Sequence, residues 1–280
     1  MIKPFLKWAG GKRSILPLLL DRVPKTYRAY YEPFLGGGAL FFALNPPSAF
    51  LSDINPRLIT TYAVVKERIE ELIRQLKEHA SLHNKDYYYQ MRRLFSSEQT
   101  AVQTAALFIY LNRTGFNGLY RVNKKGEFNV PIGDYEMPTI LDEPLLRAIS
   151  ERLKRAEIKQ CSFDEVEIVS DGFYYFDPPY YNTFDGYDGN RFLAKDHERL
   201  ANFCRRLDKA GSYFMVSNSD DDFVRKIYDG FFIEEIMASK SISCKGEGRG
   251  KKSELIIRNF IFHPPGGAKR ISSPLGEIIS

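Results

Sequence analysis

Tyr30-Tyr31-Glu32-Pro33-Phe34-Leu35-Gly36-Gly37-Gly38 carries an apolar stretch straight into three glycines. Residues 30–34 read as a short buried strand, 35–38 as a loop and 39–44 as the apolar start of a helix. Residues 49–52 form a second apolar strand that ends on Asp53. This β-loop-α-β unit is the opening of a doubly wound α/β sheet. Glycines in such a loop let the backbone approach a ligand closely. Asp53, 17 positions after Gly36, can accept hydrogen bonds from ribose hydroxyls. The combination is shared by dinucleotide and S-adenosylmethionine sites, and it also fits a structural turn beside a solvated acid.

Beyond Asp53 the period becomes helical. Asn55 and Pro56 make an N-cap and first helical position, and Val65, Ile69, Leu72, Ile73 and Leu76 fall on one face. Residues 101–112 are a second helical run, 115–132 read as turns and a hairpin, and Asp142-Glu143-Pro144 start a further helix. From Ile158 strands return, at 173–176, 213–217, 231–237 and 253–262. The expected architecture is a discontinuous catalytic domain of Rossmann-like type (1–54 and 149–263) with a mainly helical insertion at 55–148 carrying a β-hairpin. The tail 264–280, rich in Gly, Pro and Ser, is expected to fray.

Composition bounds the function without choosing it. With 280 residues, 44% of them hydrophobic and 27% charged, the chain has the make-up of a soluble globular protein. Its net charge of +5 and pI near 8.9 suit a polyanionic partner but do not require one. Cys161, Cys204 and Cys244 form no C-x-x-C pair, so neither a disulfide framework nor a thiolate zinc site is expected. No stretch resembles a signal peptide or the roughly 18 apolar residues of a membrane span; a soluble, cytoplasmic protein is expected.

Phe173-Tyr174-Tyr175-Phe176 reads as a buried strand that stops at Asp177-Pro178-Pro179-Tyr180. Consecutive prolines fix φ and continue neither a strand nor a helix. Such a turn can aim one side-chain oxygen and one backbone oxygen at a single point, which matches an exocyclic amine with its two N–H groups. Tyr180 can stack on a base. Adenine N6 is a poor nucleophile because its lone pair is delocalised. Accepting both its hydrogens favours a tetrahedral nitrogen in line with a sulfonium methyl, and no covalent enzyme intermediate is required. The tetrapeptide by itself selects neither DNA nor adenine over cytosine, and it also fits a Pro-rich loop with a capping Asp. The run Phe5-Leu6-Lys7-Trp8-Ala9-Gly10-Gly11-Lys12 holds the only Trp and is not a phosphate-binding P-loop; taken alone, it fits best a core anchor at Trp8 flanked by surface lysines.

Together these pieces resemble the DNA adenine methyltransferase (Dam) family, the α group of N6-adenine DNA methyltransferases. The matching runs are 5–12, 32–38, 52–55, 110–135, 176–180, 216–219 and 241–253. The resemblance implies S-adenosyl-L-methionine as cofactor, with S-adenosyl-L-homocysteine as product. It implies cofactor contacts at Trp8, Lys12, Glu32, Phe34, Gly36, Gly38, Asp53 and Asp177, with Phe163 near the cofactor adenine, and catalytic roles for Asp177, Pro178 and Tyr180. The insertion becomes a target-recognition domain for double-stranded DNA, reading GATC. Phe116 and Asn117, at a hairpin tip, match the positions that fill the hole left by a flipped base. Arg121 is matched to a guanine edge, with Lys7, Arg113, Leu119, Pro131 and Tyr135 as further DNA candidates. Read without the family, Phe116 fits a core residue, and Arg113 and Arg121 fit surface charges. The basic stretch 240–252 is expected to track phosphates. No membrane and no metal are expected, the working oligomeric state is a monomer, and a restriction system would add a cognate restriction endonuclease.

Two departures stand out. Asp134 and Glu136-Met137 replace basic residues of relatives, and the segment 181–192, with Asp185, Asp188 and Arg191, is shorter than usual. His79 and His83 are spaced i, i+4, but no third ligand accompanies them and they are read as solvated. Neither His197 nor His263 has a nucleophile partner. Two rival readings remain: an amino-methyltransferase acting on RNA or on a protein glutamine, and a DNA-binding relative without activity.

Overall fold

The structure, a computed structural model, describes residues 2–182, 192–238 and 252–261. At its centre lies a seven-stranded sheet of β1 (Tyr30–Glu32), β2 (Ala49–Asp53), β3 (Ala156–Gln160), β4 (Phe173–Phe176), β5 (Tyr213–Ser219), β6 (Phe232–Ala238) and β7 (Lys252–Arg258). Their order is β3-β2-β1-β4-β5-β7-β6. The first five pair in parallel, and β7 runs antiparallel to both β5 and β6. This is the mixed α/β, Rossmann-like sheet expected. β4 is buried at all four positions, as a central parallel strand covered on both faces must be.

The helices are α1 (Leu16–Asp21), α2 (Ala39–Leu44), α3 (Pro56–Glu67), α4 (Ile69–Leu82), α5 (Lys85–Leu94), α6 (Ala101–Thr114), α7 (Glu143–Leu153), α8 (Ala194–Lys209) and α9 (Asp222–Ile227). Helices α3 to α7 lie in the chain between β2 and β3, and the boundary expected at 148–149 falls inside α7. α3 packs on β2 and β3 as well as on α6 and α7. α6 is buried almost all round, because α3, α4 and α5 surround it. The single helical face expected from Val65 to Leu76 is divided between two helices. Arg68, at φ −131°, ends α3 and opens α4, and its guanidinium reaches forward to Glu71 at 2.7 Å. The break lets the apolar face of α3 cover the sheet while Leu72 and Leu76 turn toward α6.

Three expectations are corrected. The last strand stops at Arg258, short of 262, because Asn259 leaves the ladder: its Oδ1 accepts from Phe214 N at 2.9 Å and its Nδ2 donates to Ser212 O at 2.8 Å. His79 is not solvated, and His83 is only partly so. His79 is buried with Nδ1 2.8 Å from the Tyr87 hydroxyl and its ring stacked on Tyr110, while His83 Nδ1 lies 2.9 Å from the Tyr110 hydroxyl. Burial holds both imidazoles below the usual histidine range. Finally, Phe116 is not at a hairpin tip. The hairpin is reduced to isolated antiparallel bridges, Gly115 with Ile132 at its base and Val122 with Phe128 farther out. Its tip is the turn after Asn123, whose N–H donates to Glu127 O at 2.9 Å. Phe116 lies at the base, in the turn Phe116–Gly118 that leaves α6.

Asn55, chosen from sequence as an N-cap, accepts from Arg57 N at 3.1 Å and Leu58 N at 3.2 Å and is buried. Asn55→Ala should therefore lower unfolding stability by about 1–2 kcal/mol, measurable as a shifted urea midpoint with an unchanged slope.

Candidate active site

In the order β3-β2-β1-β4-β5 the chain winds outward in both directions from the β1–β4 pair, so the crevice at their carboxyl ends is a topological switch point. The glycine loop leaves β1 there and Asp177-Pro178-Pro179-Tyr180 leaves β4.

The loop is held from several sides. Leu35 N donates to Ser52 O at 3.0 Å, Tyr62 OH to Gly36 O at 3.0 Å, and Gly36 N to Asp53 Oδ2 at 3.1 Å. Asn55 N binds Asp53 Oδ1 at 3.0 Å. Each Asp53 oxygen thus has one backbone donor and retains acceptor capacity, and burial raises the carboxyl above its usual range. Gly36 has φ +45°, and a Cβ there would stand 2.6 Å from Trp8 Cδ1. The room that sequence assigned to a ligand is therefore filled by an indole. Trp8 also stacks on Phe108 (6.3 Å) and Tyr120 (6.0 Å), joining the glycine loop to α6.

Glu32 is buried, and its Oε2 accepts from Tyr30 OH at 2.9 Å and Phe41 N at 3.2 Å. The N-cap of α2 is Gly38, which has no side chain, so Glu32 supplies the acceptor that the first turn lacks. Burial pushes its carboxyl up to about 8, against the pull of those two bonds. Beside the loop, Phe34, Phe163 and Phe192 make an aromatic nest, with Phe34 and Phe163 stacked at 5.5 Å and Phe192 edge-on to both.

Across the crevice, Lys12 Nζ lies 2.8 Å from Asp177 Oδ1, 2.8 Å from Gly10 O and 4.4 Å from the centre of the Tyr180 ring. Ser217 Oγ donates to the same Asp177 oxygen at 2.9 Å and contacts Tyr175 OH at 3.1 Å. Among the described residues both donors converge on Oδ1, which leaves Oδ2 as an acceptor. The Asp177 side chain is 21% exposed. Desolvation raises its carboxyl above the usual aspartate range, with Lys12 and Ser217 opposing. Pro178 is buried, and Tyr180 donates its hydroxyl to Glu254 Oε2 at 2.8 Å. Its phenol is held well above 10 by burial and by Asp177 and Glu254, so it stays protonated.

A glycine loop and a proline-bounded carboxylate at one switch point specify an active-site crevice but not an acceptor. A family model, D12 class N6 adenine-specific DNA methyltransferase, matches residues 8–242. The chain belongs to this family. It is 40% identical over 275 residues to the Type II methyltransferase M1.LlaDCHI of Lactococcus lactis subsp. cremoris, covering 92% of this chain and 96% of the relative. Identity is 42% over 287 residues to the Type II methyltransferase M.MjaIII of Methanocaldococcus jannaschii (92% and 99%). It is 36% over 265 residues to the DNA adenine methylase of Haemophilus influenzae (91% and 92%). The protein is a DNA adenine methyltransferase, an enzyme that acts on DNA.

In this D12-class enzyme the remaining candidates gather around the turn that leaves α6. Phe116 is 43% exposed, and Asn117 has φ +54°. Gly118 has φ +65°, and a Cβ there would overlap the Lys7 side chain. Lys7 Nζ reaches the Tyr135 hydroxyl at 3.1 Å and lies over its ring. Arg121 donates from Nε to Asn129 Oδ1 at 2.7 Å and from Nη2 to Asn129 O at 3.3 Å. Leu119 packs half-buried on the core, Arg113 is half-buried, and the carbonyl of exposed Pro131 accepts from Phe116 N at 2.9 Å. Asp185, Asp188 and Arg191 of the short segment 181–192, the basic stretch 240–251 and the tail 264–280 lie outside the described residues. Among the described residues no group of His, Cys, Asp and Glu is placed to hold a metal ion, and no helix is long and apolar enough to cross a membrane.

Sequence reasoning gave no role to Asn112, Ser217, Asn218, Ser219 or Glu254. Asn112, buried in the apolar α6, binds Lys7 N (2.8 Å), Lys7 O (2.7 Å) and Gly118 O (2.7 Å), tying the N-terminal segment to the turn. A buried amide in an apolar helix was a legible sign, since such a group needs partners. The polar end of β5 was another.

The raised Glu32 carboxyl has a thermodynamic consequence. The folded protein holds this proton more tightly than the unfolded chain, so the contribution is fully present below about 4.5 and declines as pH rises through about 8. Glu32→Gln should flatten the cofactor-free protein's stability loss across that window, by an amount on the order of a few kcal/mol. Parallel pH slopes for both proteins in chemical denaturation would exclude this.

Proposed function

We propose that the enzyme methylates N6 of an adenine turned out of duplex DNA, with S-adenosylmethionine as donor. The observation that carries this reading is Asp177, whose Oδ1 takes both Lys12 and Ser217 while Oδ2 remains to accept. Oδ2 and the Pro178 carbonyl would accept the two N6 hydrogens, and the Tyr180 ring would bear the base. The donor supplies an electrophilic sulfonium methyl when bound. The residues present fit it: Asp53 has spare acceptor capacity for ribose hydroxyls, and Phe34 with Phe163 offers a flat apolar nest to an adenine ring. Lys12 and Asp177 offer one cation and one anion to an amino-acid end.

For DNA, an exposed Phe116 followed by left-handed Asn117 favours insertion into the space left by the base. Arg121 is held on one edge by Asn129, so its Nη1–Nη2 edge is pre-oriented for a guanine O6/N7 pair. The segment 55–148 would then be the recognition unit and GATC the target. The Type II names of two relatives favour a restriction–modification setting with a cognate endonuclease.

Three measurements test this. Sequencing of DNA from cells expressing the protein should show N6-methyladenine in one short motif; unmodified DNA would overturn the reading, and another motif would overturn GATC alone. Asp177→Ala should abolish methyl transfer from labelled S-adenosylmethionine while DNA binding persists. Arg121→Ala should relax selectivity at one base pair by about 1–3 kcal/mol, and unchanged ranking of all single-base variants would remove that role.

A further inference from the structure

The carboxyl end of β5 clamps the tetrapeptide through three consecutive side chains. Ser217 Oγ holds the Asp177 carboxylate at 2.9 Å. Asn218 Oδ1 accepts from Tyr181 N at 3.3 Å, and Ser219 Oγ donates to Tyr181 O at 3.0 Å. Asn218 is itself buried and lies 3.3 Å, through Nδ2, from His197 Nδ1. These contacts fix the Asp177 carboxylate and the backbone that follows Tyr180, but none of them reaches the Tyr180 ring. The fourth contact comes from another strand. Glu254 stands directly opposite Ser219 in the β5–β7 pairing, and its Oε2 accepts the Tyr180 hydroxyl at 2.8 Å.

We propose that Glu254 is a positioning residue for methyl transfer, fixing the Tyr180 ring as the platform for the target base. The proposal rests on the base-methylation reading above. A tyrosine ring swings about two side-chain torsions. Pinning its hydroxyl fixes the far end, and a phenol O–H lies in the ring plane, so the acceptor also biases the ring's tilt. A carboxylate acceptor makes this a charge-assisted bond, stronger than one to a neutral group. The phenol remains the donor because burial and the two nearby carboxylates oppose its ionisation. Glu254 touches neither Asp177 nor Lys12 in the hydrogen-bond and ion-pair network described, so its effect passes through the Tyr180 hydroxyl.

The test is a double-mutant cycle of Glu254→Ala and Tyr180→Phe, with Glu254→Gln as the conservative variant, on the full chain. Single-turnover methylation is measured on a duplex that the wild type modifies. Stacking is read from 2-aminopurine fluorescence at the target position, and folding from thermal melts. Glu254→Ala and Tyr180→Phe should each lower the methylation rate roughly tenfold, a loss that small misplacements readily produce. The double variant should be no slower than either single one, Glu254→Gln should recover most of the rate, and 2-aminopurine should fluoresce more brightly in the Ala and Phe variants. Tyr180→Phe removes the bond without touching β7. A folded Tyr180→Phe protein at the wild-type rate, multiplicative losses, or a Gln variant as slow as Ala would each overturn the assignment. A wild type that modifies no adenine in any duplex would instead sink the base-methylation reading itself, an outcome distinct from these.

Discussion

The parallel pairing of β1 with β4 at the centre of the sheet is the constraint on which the site depends. Tyr30 and Tyr31 lie in register with Phe173 and Tyr174, so two segments some 140 residues apart in the chain end side by side. Because the chain winds away from this pair in opposite directions, no crossover helix covers the crevice at their carboxyl ends. The glycine loop and the tetrapeptide both open into it. The buried polar contacts around them hold one or the other of these two turns in place.

The holding is done largely by polar groups that are themselves buried. Glu32 caps a helix whose own N-cap is glycine, Asp53 gathers two backbone N–H groups, and Ser217 sets the free edge of Asp177. Low local polarity strengthens each of these bonds and makes each costly to lose. The same burial raises all three carboxyls above their usual range. Trp8 extends this rigidity outward. Its indole fills the space above Gly36 on one side and stacks toward α6 on the other, while Asn112 ties Lys7 to the turn bearing Phe116. The turn bearing Phe116 and the glycine loop are thus joined through one short N-terminal segment.

Much of the fold was legible because local chemistry left marks. Asn55-Pro56 announced the start of α3, the four apolar residues before Asp177 marked β4, and Ala39 to Leu44 emerged as a helix with the bounds expected. The misreadings have a common cause. The break at Arg68, the early end of β7 and the burial of His79 all depend on what lies across from those residues, and apolar periodicity does not report that. Phe116 was assigned to a hairpin tip from the family resemblance; the tip formed instead at Asn123–Gly126, where Lys124, Lys125 and Gly126 are exposed.

By itself the sequence determined the element types, the α/β class and the proline-bounded turn that can present a carboxylate. Each of these follows from backbone restrictions and side-chain spacing over a few residues. Tertiary structure alone decided which oxygen of Asp177 is left to accept, that Gly36 makes room for an indole, and that Glu254 on β7 meets the hydroxyl of Tyr180. Those pairings span 28, 40, 74 and more than a hundred positions of chain in different directions. Only the order of strands in the sheet brings such partners within a hydrogen bond of one another, and no local pattern encodes it.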